Sequence, residues 1–314
     1  MCQALAIKPK HMMYHVAVVI PTRNRPRLLE ECLSSMAKQD FPLDECEILV
    51  CDDGSTEDLQ QVVEKFKKAI PNLRLLNQQA RGPASARNLG FRSSLAQMFV
   101  CVDSDVVCDT HFLSRIVEAL REHPEWVAAE GHVIPREKCD SLFSDVPTNE
   151  GGNLLCGATA YRAQALRQVG GFDEGFKLPS QEDFEIGIRL MQLGEFGFVP
   201  DAIVYHPMRR VTLRTFWGWR RFWKYTVIIG KRYGVLGVPK LGKRTRFPRL
   251  RVAICATITL PVGRFSGAIS TLQKNFREVS RASFFMLFDV LCGIVALPEI
   301  LFCKCPERQN YLKQ

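Results

Sequence analysis

Between residues 15 and 135 short β-rich runs alternate with longer amphipathic stretches, and this alternation restricts the fold more than any other feature of the chain. "HVAVVIPT", "CEILVCDDGS", "NLRLLNQ" and "MFVCVDSD" read as strands, apolar along most of their length. Helical patterns separate them: "PRLLEECLSSMAKQ", with Leu28, Leu29, Cys32, Leu33 and Met36 on one face, then "EDLQQVVEKFKKA", then a helix from about Pro83 to Leu95. "DTHFLSRIVEALREH" follows, with Asp109 or Thr110 as its expected N-cap. Apolar strands linked through helices predict an α/β, Rossmann-type, mostly parallel sheet flanked by helices. In such sheets ligands lie beyond the carboxyl ends of the strands. The polar residues that close these strands are Thr22, Arg23 and Asn24, then Asp52 and Asp53, then Asp103, Ser104 and Asp105. All are predicted to face one crevice.

Residues 150 to 206 break the pattern with Gly151, Gly152, Gly157, Gly170, Gly171 and Gly175, followed by a helix "QEDFEIGIRLMQLG" and a strand "FGFVPDAIVYH". They are read as a second subregion packed on the same sheet. The expected organisation is a tail over 1–14 and a catalytic domain over 15–208, split into halves 15–135 and 136–208. A basic aromatic helical segment over 209–251 and hydrophobic helices over 252–314 complete it. The twelve cysteines show no C-x-x-C spacing, so neither a zinc site nor a disulfide framework is expected and a reducing cytosol is the simplest home. The start of the chain carries no cleavable signal pattern.

The net charge of +9 is one tract: residues 209–251 hold fourteen Lys or Arg and no acid, and the remaining 271 residues sum to −5. Nucleic acid is disfavoured as a partner because an acidic half repels its backbone. "GVPKLGKR" imitates a phosphate-binding loop, but Arg244 stands where Ser or Thr should be, and no G-x-G-x-x-G occurs. ATPase and dinucleotide-binding readings lose their main support.

Asp103 and Asp105, one residue apart at a strand end, can turn toward one point and suit a hard cation such as Mg²⁺ or Mn²⁺, although a solvated turn gives the same pattern. Asp52 and Asp53 read equally as an Asx-type turn with Gly54 and Ser55 or as acceptors for a ligand. Glu182 and Asp183 read as an acidic first helical turn complementing the helix dipole after Ser180 as N-cap.

The ordered set "VVIPTRNRPRLLEECLSSM", "ILVCDDGSTED", "ARNLG", "VDSD", "VGGFDEGF", "EDFEIGIRL" and "DAIVYHP", over roughly 60 % of the chain, resembles the inverting family 2 glycosyltransferases of the GT-A fold. The resemblance implies transfer of a sugar from a nucleotide-sugar donor to an acceptor hydroxyl. It places a divalent metal (Mn²⁺ or Mg²⁺) on Asp103 and Asp105, with His206 as a further contact, and puts Asp183 in the role of catalytic base beside Glu182. The nucleotide-sugar falls to Pro21, Thr22, Arg23, Asp52 or Asp53, Arg81 or Arg87, Asp103 and Ser104. Gly157, Glu182 and Asp183 are implied on the acceptor side. A sugar nucleotidyltransferase is the rival enzyme, lacking its glycine-rich loop because "PTRNRP" follows the first strand. A catalytically inactive membrane scaffold is the rival without chemistry.

"TLRTFWGWRRFWKYTVIIGKRYG" suits a helix at a bilayer interface, or one packed on the catalytic domain through Phe216, Trp219 and Trp223. Residues 252–272, interrupted by Arg264, and 282–303, interrupted by Asp289 and Glu299, approach the ~20 residues needed to cross a bilayer but carry costly charges. A re-entrant or in-plane pair is expected first, a spanning hairpin second and a soluble cover third. The catalytic domain is expected on the cytosolic face of a membrane, with a glycan or lipid-linked acceptor.

Overall fold

The computed structural model describes residues 15–137, 144–145, 147–149, 151, 155–210, 212, 218 and 220–233. The expected tail over 1–14 and the hydrophobic helices over 252–314 lie outside them, as do the side chains of Phe216, Trp219 and Trp223. Two units divide the chain, one of residues 1–136, 147–207 and 309–314 and one of 137–146 and 208–308.

In the first unit the strands are β1 (Val16–Thr22), β2 (Cys46–Asp52), β3 (Leu73–Asn77), β4 (Met98–Val102), β5 (Val107–Cys108), β6 (Trp126–Pro135), β8 (Ala158–Arg162) and β9 (Glu195–His206). Its helices are α1 (Pro26–Met36), α2 (Gln60–Phe66), α3 (Pro83–Arg92), α4 (Phe112–Glu122), α5 (Ala163–Val169) and α6 (Glu182–Leu190). The strands form one sheet in the order β3-β2-β1-β4-β8-β6-β9-β5. β3, β2, β1 and β4 are mutually parallel. β8 is antiparallel to both β4 and β6, β9 is parallel to β6, and β5 closes the edge antiparallel to β9.

β1, β2 and β4 are buried on both faces, which is why they read as near-continuous apolar runs. Alternate residues feed two cores. Val16, Val18 and Ile20 pack with Leu29, Cys32, Leu33 and Met36 of α1, Val62 and Val63 of α2, and Phe112, Ile116 and Leu120 of α4. Ala17 and Val19 pack with Ala84, Ala86 and Phe91 of α3, Leu166 of α5 and Ile186 of α6. The inward face expected for α1 is the buried one, with Leu28 only half-buried.

Two expected caps differ. His111, not Asp109 or Thr110, precedes α4, because the Asp109 carboxylate accepts from the His111 N–H at 3.0 Å and turns the chain before the helix begins. Gln181, not Ser180, precedes α6, in a left-handed conformation with φ 70°.

In the second unit β7 (Ser144–Asp145) pairs antiparallel with β10 (Arg209–Arg210), and a 3-10 turn over Arg220–Phe222 leads into α7 (Trp223–Tyr233). Tyr225 and Ile229 of α7 are buried, and Lys224 Nζ lies 4.8 Å from the Tyr225 ring centroid. Among the described residues no helix is long and apolar enough to cross a membrane.

Candidate active site

Because β6 and β9 run in the same direction as β4, with Pro135 paired to His206, the carboxyl ends of β1, β2, β4, β6 and β9 share one edge of the sheet. The topology thus brings His206 to the loop that follows β4.

On the β1/β2 side, Asp52 Oδ1 accepts from the Ser55 N–H at 2.9 Å and the Ser55 hydroxyl at 2.6 Å, forming the Asx turn. Asp53 Oδ1 accepts from Gln78 Nε2 and the Arg81 N–H, both at 2.8 Å, and its Oδ2 from the Gly82 N–H at 2.9 Å. That carboxylate therefore takes the place of an anion before α3. It also holds Gly82 at φ 104°, where a Cβ would stand 2.5 Å from the Lys177 carbonyl oxygen. Pro21 is half-buried, and Arg23 and Arg81 are exposed. Thr22 Oγ1 is buried and has no hydrogen-bond partner among the described residues.

The next loop is laced to this one. Asn24 sits at φ 52°; its N–H donates to Ser55 Oγ at 2.8 Å and its Oδ1 accepts from the Thr56 N–H at 2.7 Å. Arg25 then reaches across, Nη1 donating to Asp105 Oδ2 at 2.6 Å. On the other side of that carboxylate, His206 Nε2 lies 3.7 Å from Asp105 Oδ1, while Nδ1 donates to the Pro207 carbonyl at 2.7 Å. A carbonyl can only accept, so Nδ1 carries a proton and Nε2 is the ring nitrogen turned toward Asp105.

Asp103 faces the opposite way, toward α3. Arg87, which like Arg81 is expected to offer charge to a diphosphate, is buried and bonded to two acids. Its Nη2 donates to Asp103 Oδ1 at 2.9 Å and its Nη1 to Glu182 Oε1 at 3.0 Å, with the guanidinium 5.5 Å from the Phe172 ring centroid. Ser104 is buried between the aspartates. A Cβ at Gly157 would stand 2.9 Å from Asp103 Oδ2, so the glycine keeps that carboxylate in place.

Glu182 and Asp183 open α6, which a bidentate Arg189–Glu185 pair and an Arg189 bond to the Val169 carbonyl fix against α5. Asp183 is half-buried and its Oδ1 accepts from the Phe184 N–H at 2.8 Å. Burial first, then the neighbouring Glu182 charge, push the Asp183 carboxyl up to about 7. Burial raises Glu182 as well, against the opposing pull of Arg87.

Three groups escaped the sequence reading. Arg25 gave a weak signal, a cation after a strand end. Asn88 lies in "ARNLG" and bonds the Phe172 carbonyl, the Phe172 N–H and Glu174, bracing the "GGFDEGF" turn. Glu130, in the middle of β6, gave none: its Oε1 accepts from Asn149 Nδ2 at 2.8 Å and the Leu155 N–H at 3.0 Å, tying down both sides of the segment before Gly157. Among the described residues no three His, Cys, Asp or Glu side chains gather into a ready-made ion site, since arginines hold both aspartates.

Residues 17–140 match the family model described as glycosyl transferase family 2, and residues 157–236 match the one described as glycosyltransferase like family 2. The chain belongs to glycosyltransferase family 2. The chain is 34 % identical over 113 residues to poly(ribitol-phosphate) beta-N-acetylglucosaminyltransferase TarS of Staphylococcus aureus, covering 35 % of this chain and 20 % of that protein. It is 25 % identical over 250 residues to the hyaluronan synthase of Pasteurella multocida, covering 64 % of this chain and 25 % of that one. Both matches span a quarter or less of the relative's length. The fold is similar to the crystal structure of S. aureus TarS 1-349 in complex with UDP-GlcNAc, with TM-score 0.55, 21 % identity, and 92 % and 83 % of the two chains covered. It is also similar to the mannosyltransferase PcManGT of Pyrobaculum calidifontis in complex with GDP-Man and Mn²⁺, with TM-score 0.59, 19 % identity, and 91 % and 88 % covered. The sheet and flanking helices of this chain are thus of GT-A type.

Proposed function

We propose that the protein transfers a sugar, with inversion, from a nucleoside-diphosphate sugar to an acceptor hydroxyl, with Asp183 as the base. The observation that carries this reading is the convergence of Asp52, Asp103, Asp105 and His206 on one sheet edge, with Asp183 brought beside them through the Arg87 bridge from Asp103 to Glu182, four segments in all, together with the raised pKa of Asp183. A half-buried carboxyl poised near neutrality is suited to taking a proton from an alcohol.

The donor types suit a divalent cation: carboxylate oxygens are hard ligands, and His206 Nε2, 3.7 Å from Asp105 Oδ1, is an imidazole nitrogen that Mn²⁺ accepts, while Asp103, turned toward Arg87, has to swing from it to share an ion with Asp105. Asp103, Asp105 and His206 would hold it, and it would supply charge neutralisation for the departing nucleoside diphosphate. The rest of the work falls to the chain itself. Thr22 and the Asp52 turn line the nucleoside position, where the buried Thr22 hydroxyl offers an unused donor. Glu182, held by Arg87, anchors the first turn of α6 so that Asp183 meets the acceptor hydroxyl on the face opposite the leaving group. Glu130, Asn149 and Gly157 shape the acceptor side.

The acceptor is proposed to be a glycan or lipid-linked sugar presented at the cytosolic face of a membrane. Support comes from the sequence, where the acid-free tract 209–251 precedes the two apolar stretches. Membrane attachment that survives deletion of residues 252–314 contradicts the assignment of that role to those stretches. The family assignment removes support from the nucleotidyltransferase reading, and the intact acidic set disfavours an inactive scaffold. The test is a panel of nucleotide-sugars incubated with the purified protein, Mn²⁺ or Mg²⁺ and membrane lipid extract, with products identified by mass. A new glycosylated product in the wild type and none with Asp183→Asn is expected; equal product from both refutes the base assignment.

A further inference from the structure

The two aspartates of the Asp103-Ser104-Asp105 pair are held by arginines of opposite character. Arg87 is buried with Glu182, so withdrawing it leaves that charge stranded in the interior, while Asp103 is only half-buried. Arg25 has a side chain 47 % exposed while Asp105 is 6 % exposed. The guanidinium can return to water at little cost, but the carboxylate cannot be left without a cation. The exchange that suits Asp105 is therefore one cation for another.

We propose that Arg25 is a stand-in cation for Asp105, displaced when a divalent ion binds, and that it makes ion binding depend on the nucleoside site. This deepens the function proposed above and rests on it. The link is a continuous set of bonds: Asp52 holds Ser55, Ser55 Oγ and the Thr56 N–H hold Asn24 at φ 52°, and Asn24 aims Arg25 at Asp105. A ligand that engages the Asp52 turn acts on the loop presenting Arg25, and a guanidinium released from Asp105 stands at the strand edge, where a diphosphate would meet it. Arg25 is thus a positioning and specificity residue: it charges a toll on cation binding before the nucleotide arrives, because the ion's apparent affinity falls by the fraction of molecules in which the carboxylate is accessible.

The test is Mn²⁺ binding to the full chain, followed through the electron-spin-resonance signal of the free ion, with no nucleotide and with UDP or GDP added. Without nucleotide, Arg25→Gln is expected to bind Mn²⁺ about ten-fold more tightly than wild type, and Arg25→Lys to fall between them. The gain should vanish in the double variant with Asp105→Asn. UDP or GDP should tighten Mn²⁺ binding more in wild type than in Arg25→Gln. Wild type that binds Mn²⁺ with an affinity unchanged or weakened by Arg25→Gln overturns this inference and leaves the proposed cation site standing. Failure of both proteins to bind Mn²⁺ with or without nucleotide overturns the cation site and this inference together.

Discussion

The β3-β2-β1-β4 half and the β8-β6-β9-β5 half of the sheet are built on different physics. In the first, strands with both faces buried are held by apolar contact, and polar residues gather at the carboxyl edge. In the second, side-chain hydrogen bonds fix the loops: Glu130 to Asn149 and Leu155, Asn88 to Phe172 and Glu174, Arg87 to Glu182. The apolar half provides a rigid edge and the polar half a set of positioned loops. Substitutions in the second should therefore disturb catalysis as well as folding.

The strongest expected break is Asp183→Asn, which should lower kcat by about 10²- to 10⁴-fold with little change in melting temperature. In the wild type kcat should rise with pH through about 7, as Asp183 loses its proton. The same shift has a stability sign. Between the usual carboxylate range and about 7 the native state keeps a proton that the unfolded chain has released, so stability falls as pH rises across that window. Denaturant titrations of Asp183→Asn at several pH values should show that slope diminished.

Next in size is Arg87→Met, which strands Glu182 in the interior and leaves the half-buried Asp103 without its ion pair, and should cost about 3–5 kcal/mol in urea unfolding. Adding Glu182→Gln should recover part of that loss but not the activity. Glu130→Ala removes the acceptor for two donors and should cost about 1–3 kcal/mol. Its kinetic signature should be a raised KM for the acceptor with donor KM unchanged, which separates the two halves directly. Smallest is Gly157→Ala, whose Cβ presses on Asp103 Oδ2: a few-fold weaker Mn²⁺ affinity is expected, with stability altered by less than about 1 kcal/mol.

The two halves also differ in what the sequence discloses. β1, β2 and β4 were legible because burial on both faces leaves an apolar run, and Asp52, Asp103 and Asp105 were legible as the acids that end those runs. β6 was not read as a strand: Glu130, Gly131 and His132 interrupt its apolar pattern, since this strand holds a loop as well as a core. β8 is five residues after a glycine-rich stretch, and its insertion between β4 and β6 depends on pairing partners distant in sequence. Arg87 was legible as a cation near the site, but its burial between acids from separate segments is a tertiary fact, and the link from Asn24 through Arg25 to Asp105 likewise spans about eighty residues.

The central claim is that this carboxylate edge grips a nucleoside diphosphate and its cation beside Asp183. The most direct measurement is an anomalous difference map from crystals of the full chain grown with Mn²⁺ and UDP or GDP. The account predicts a manganese peak bonded to Asp105 and shared with the diphosphate, with the base lying over Thr22 and the Asp52 turn. A nucleotide bound elsewhere, or manganese that avoids Asp103, Asp105 and His206, would contradict it.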